Sequence, residues 1–77
     1  MSKVLKRKMK VAKIILAQLQ KEDTRWTELY KITLVQSGTP WMFQNMMRWL
    51  LKEGYIERIE RGLYHITDKG SAFLELL

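Results

Sequence analysis

Trp41, Gln44, Asn45, Arg48 and Lys52 recur at i, i+3, i+4, i+7 and i+11, and at about 100° per residue they share one side of a helix. Their chemistry is that of base recognition. An arginine forks onto the two acceptors of guanine, a carboxamide matches the donor–acceptor pair of adenine, and an aromatic ring packs on a sugar or a thymine methyl. Arg48, Gln44 or Asn45, and Trp41 supply these groups in turn. Phe43, Met47 and Leu50 fall on nearly the opposite side. A helix seated in the major groove of DNA needs both: side chains that reach base edges and an apolar face docked on a core. Every amphipathic helix has a polar side, but this one carries amides and arginine in place of Glu/Lys pairs.

Met42, Met46 and Trp49 add a third stripe. The apolar arc becomes about 200° wide where a surface helix needs about 100°. Either the two preceding helices cover the excess, or it is a protein-binding patch of adaptable methionines and tryptophan.

The surrounding elements follow from period and punctuation. Leu5, Met9, Ala12, Ile15, Leu16 and Leu19 predict a first helix over 4–20. A short strand is expected at 25–27. A helix is expected over 28–36, capped by Thr27, with Leu29, Ile32 and Val35 inward. Thr39 as N-cap and Pro40 at the first helical position start the third helix, 40–53, and Gly54 ends it. Strands at 55–60 and 63–67 form a hairpin through Arg61-Gly62, in the register that gathers Ile56, Tyr64 and Ile66. Thr67 caps a last helix, 68–77.

Helix, strand stub, two helices across a tight glycine turn, hairpin, helix is an α+β order that resembles a winged helix-turn-helix. The likeness to small prokaryotic and archaeal transcription regulators rests on three stretches. They are Arg25-Trp26-Thr27-Glu28-Leu29-Tyr30-Lys31, the ladder Phe43-x3-Met47-x2-Leu50-x3-Gly54-Tyr55-Ile56, and Arg61-Gly62-Leu63-Tyr64-His65-Ile66-Thr67-Asp68-Lys69-Gly70. The resemblance implies sequence-specific binding of double-stranded DNA with the third helix in the major groove. It also implies a wing tip along the backbone or minor groove, with Arg61 its foremost contact and Arg58 beside it. Because Glu57 and Glu60 neutralise this hairpin, an ordinary exposed turn is the competing reading. Small modules of this kind use two-fold dimers on palindromic half-sites. A homodimer through the first helix and Phe73, Leu74, Leu76 and Leu77 is therefore expected.

Two further groups bear on polyanion binding. Ser37 and Thr39 can hold a phosphate at the start of the third helix, or serve only as turn and cap. Lys3, Lys6, Arg7, Lys8, Lys10 and Lys13 precede every acid, and the remaining charges cancel, so the whole net charge of +6 sits in this segment. Lys3, Lys6, Arg7 and Lys10 are candidate backbone contacts; a merely solvated face is the alternative.

The 77 residues make one domain, 1–77, whose 47% apolar and 29% charged content is that of a globular chain. No cysteine is present, and no His/Asp/Glu cluster is apparent, so neither a metal nor another cofactor is expected. His65 is read as a lone outward histidine and Glu22-Asp23 as a helix stop. No convergent reactive groups suggest an enzyme. No apolar run nears the roughly 20 residues of a membrane span, and the expected location is cytoplasmic. No room remains for a ligand-sensing domain, so no small-molecule ligand is expected. A protein–protein winged helix, an architectural sequence-indifferent DNA binder and a membrane-surface first helix stand as alternatives.

Overall fold

The computed structural model describes residues 3–36 and 38–77. Its elements are α1 (Lys3–Lys21), β1 (Thr24–Arg25), α2 (Trp26–Gln36), α3 (Pro40–Lys52), β2 (Ile56–Glu60), β3 (Leu63–Ile66) and α4 (Asp68–Leu76). The three strands form an antiparallel sheet in the order β1-β3-β2. The architecture is α+β, four helices around a small sheet.

α1 has no glycine or proline to interrupt it, and it buries Val11, Ala12, Ile15, Leu16 and Leu19. Its first turns run past the core, leaving Val4 and Leu5 exposed and Met9 half-buried. The chain then turns on Thr24, whose hydroxyl donates to the Glu22 carbonyl at 2.9 Å and accepts from the Gln18 amide at 3.3 Å. This moves the next two elements from their expected places. The strand is Thr24–Arg25 rather than 25–27, and α2 starts at Trp26 rather than after a Thr27 cap. The reason is that the Trp26 N–H donates to the Gly62 carbonyl at 2.8 Å, which satisfies a helix-start donor without a capping hydroxyl.

α2 also turns a different face inward from the expected one. Leu29 and Thr33 are buried, Ile32 is half-buried and Val35 is 85% exposed, in contrast to the expected Leu29, Ile32 and Val35. Aromatic packing accounts for the choice. Trp26 and Tyr30 stack at 5.1 Å, and both make T-shaped contacts with Phe43 of α3 at 5.2 and 5.3 Å, geometries that aromatic pairs favour. The same rotation buries the Thr33 hydroxyl without a hydrogen-bond partner among the described residues.

α3 begins as its sequence requires: the Thr39 hydroxyl accepts from the Met42 N–H at 3.2 Å, and Pro40 opens the helix. At its other end Gly54 takes φ +79, with its N–H on the Leu51 carbonyl and the Tyr55 N–H on the Leu50 carbonyl. This is a Schellman ending, which needs the left-handed conformation glycine tolerates. Tyr55 is therefore consumed by the helix end, and β2 starts at Ile56. Thr67 likewise leaves β3 to cap α4, accepting from the Gly70 N–H at 3.0 Å. Within the hairpin Ile56, Tyr64 and Ile66 face the core. Gly62 takes φ +75 at the turn, and a register shift falls between Arg58 and Glu60.

The hairpin, α3 and α4 meet at one joint. The Thr67 N–H and hydroxyl reach the Tyr55 carbonyl at 3.1 and 3.0 Å, and Gly70 packs so closely on that carbonyl that an added Cβ would run into it. Gly70→Ala is expected to destabilise the fold by about 1–3 kcal/mol, the usual cost of forcing a group into a packed site, read from urea unfolding. Thr33→Val keeps the shape and removes the unpartnered hydroxyl, so the same assay should show a gain of about 1 kcal/mol.

Candidate nucleic-acid interface

α3 is anchored on one side by Met42, Phe43, Met46, Met47 and Leu50, all buried. Its other side carries Trp41, 59% exposed, with Gln44, Arg48 and Lys52 also exposed. Four of the five residues singled out by spacing thus stand together on an open surface. Asn45 departs from them. It is half-buried at the edge of that surface and lines a hollow of about 240 Å³ with Leu5, Lys8, Met9, Met46 and Trp49. Leu51, 38% exposed, adds an apolar spot to the same face.

Most of the excess apolar arc is covered within the molecule. Met42 and Met46 are covered, with Leu5 and Met9 of α1 bordering the hollow above Met46. Trp49 is half-buried against Tyr55 and Phe73, at ring separations of 5.5 and 5.9 Å. Phe73 in turn stacks on Tyr55 at 4.3 Å. Of the C-terminal residues expected at a dimer contact, Phe73, Leu74 and Leu77 pack against the core, and Leu76 is left 83% exposed.

The basic segment divides by helical phase. Lys8 shares the stripe of Leu5, Ala12 and Ile15, and its ammonium lies 5.4 Å from the centre of the Trp41 ring, a cation–π contact. From sequence Lys8 is one cation of the N-terminal cluster; the structure sets it against the α3 surface. Its phase with the core stripe was the available signal. Lys3, Lys6, Arg7 and Lys10 are exposed, and Lys10 lines a groove toward α2 instead. Thr39 is exposed at the start of α3 while its hydroxyl caps the helix. Ser37 lies outside the described residues.

At the hairpin, Arg25 holds Glu60 at 3.2 Å and donates to the Arg61 carbonyl at 3.3 Å. Both side chains are about 60% exposed, so the pair contributes at most about 1 kcal/mol. Its main effect is on charge. With Glu60 occupied, Arg58 and Arg61 remain exposed cations, and among the described residues no carboxylate pairs with them. Arg25 was missed because its partner lies 35 residues away.

His65 is not a lone histidine. Its Nδ1 lies 2.7 Å from the Asp23 carboxylate, so Asp23 does more than end a helix. The hydrogen bond to Asp23 raises the His65 pKa above 6.5, with partial burial opposing and the charges of Asp23, Glu57 and Asp68 adding to the rise. Among the described residues no three His, Asp or Glu side chains converge as metal ligands.

A raised folded-state pKa means that the pairing stabilises fully below the unfolded value of 6.5 and is lost as pH climbs through the folded value. Asp23→Asn should bring the His65 titration, followed by NMR of its ring protons, back toward 6.5 and reduce the fall in stability above that pH. An unchanged titration would assign the shift elsewhere. Compared with known proteins, the chain matches no family model, no curated protein and no solved structure.

Proposed function

We propose that the chain is a winged helix-turn-helix domain that binds double-stranded DNA sequence-specifically and acts as a transcription regulator. The observation that carries this reading is the outer face of α3. Trp41, Gln44, Arg48 and Lys52 stand in the open on a rod whose opposite side is fixed by five buried residues. In the proposed complex α3 lies in the major groove, where Arg48 takes guanine and Gln44 takes adenine. Trp41 packs on sugar or a thymine methyl, and Lys8 and Lys52 meet phosphates on either side. Arg58 and Arg61 of the hairpin contact the backbone or minor groove.

Met42 and Met46 are buried and Trp49 is half-buried, which weakens the reading of the domain as a protein–protein module. For a homodimer on a palindromic site, Leu76 with the half-buried Leu74 and Leu77 is the better candidate contact. The outer side of α1 would set lysines against lysines.

Selection of bound sequences from random duplexes tests the proposal. A recovered motif with two-fold symmetry is expected, bound more weakly as salt rises. Arg48→Ala should cost about 1–3 kcal/mol at one guanine position, whereas Lys8→Ala should weaken all duplexes alike. Binding without enrichment would make the domain a sequence-indifferent binder. No binding at low salt would reject the proposal.

A further inference from the structure

A groove of about 380 Å³ runs between α1 and α2, on the side of α1 turned away from α3. Its floor is apolar, made of Ile14, Ala17 and Ile32, and its α1 side carries Lys10, Lys13 and Lys21. It continues along α2 into a second hollow of about 290 Å³, which shares Ile32 and adds Val35, Lys31 and Glu28. Val35, in this second hollow, is 85% exposed. None of these residues lies on α3 or among the side chains buried on its inner side.

Two helices with an apolar seam and a lysine rim are shaped for a third helix laid into the groove. Such helices present apolar anchors at i, i+3/i+4 and i+7. The rim decides the partner's charge. Among the lining residues Lys10, Lys13, Lys21 and Lys31 stand against one acid, Glu28 of the second hollow. Charge complementarity selects an acidic partner and steers its approach. A second copy of this chain is disfavoured by the same charges, because a two-fold contact would bring the α1 lysines face to face. Duplex DNA would leave the apolar floor unused. We infer that the α1–α2 groove docks an acidic amphipathic helix of another protein, a site independent of the α3 surface and of the function proposed for it.

The test titrates the isotope-labelled full chain with a synthetic amphipathic helix, leucine on one face and glutamate on the other. Amide and methyl shifts of Ile14, Ala17, Ile32 and Val35 are expected, with Trp41 and Arg48 unmoved. Exchanging lysine for glutamate in the peptide should abolish binding. The surface variant Lys13→Glu/Lys21→Glu, which leaves the core intact, should bind the acidic peptide roughly tenfold more weakly. The inference is overturned if no shift occurs at saturating peptide, or if the peptide moves Trp41 and Arg48 instead. It is equally overturned if a DNA duplex moves the groove residues, or if they shift with concentration of the free protein, which would make the occupant a second copy. The peptide results do not depend on whether α3 binds DNA.

Discussion

The arrangement depends on how firmly α3 is held from behind. Phe43 is wholly buried in T-shaped contact with two rings, Trp26 and Tyr30, and Met42, Met46, Met47 and Leu50 close the rest of that side. Burying a side chain of the Phe, Leu or Met type stabilises by about 1.5–3 kcal/mol, so five of them on one short helix fix its rotation about its own axis. Once that angle is set, the outward positions are no longer free. Trp41, Gln44, Arg48 and Lys52 must face solvent, and Asn45 must sit at the margin against α1. The same contacts that stabilise the fold thereby aim the side chains proposed to read DNA.

A second joint sets the hairpin relative to that helix. The Schellman ending at Gly54 hands the chain directly to Tyr55, whose carbonyl is shared by the Thr67 N–H and hydroxyl while its ring stacks on Phe73. Trp49 of α3 leans on the same pair. Helix end, hairpin and α4 are thus one packed unit, and Arg58 and Arg61 are carried at its far end. At the hairpin tip the Arg25–Glu60 pair and the Arg25 bond to the Arg61 carbonyl tie β1 to the turn.

What could be read from sequence was local. Thr39-Pro40 signals a helix start, Gly54 a left-handed ending and Gly62 a turn, because each acts through the backbone of its immediate neighbours. The spacing of Phe43, Met47 and Leu50 likewise gives the inward side of α3 without reference to anything else. Most of the misplaced features turn on distant partners. The start of α2 moved because the Trp26 N–H is satisfied by Gly62, and its inward face moved because Phe43 demands Trp26 and Tyr30. Asp23 and His65 are 42 residues apart, so neither suggested the other. The six N-terminal cations read as one cluster along the chain, yet helical phase sends Lys8 to Trp41 while Lys10 and Lys13 line the opposite groove.

The three tryptophans occupy three different environments, which makes them direct reporters. Trp41 stands open on α3, whereas Trp26 is locked against Tyr30 and Phe43 and Trp49 against Tyr55 and Phe73. Following the three indole N–H resonances during titration with a short duplex carrying guanine and adenine steps would locate the contact surface. The Trp41 signal should shift strongly while that of Trp26 stays in place. A Trp41 resonance that does not move while the duplex demonstrably binds would contradict the claim that this face of α3 meets DNA.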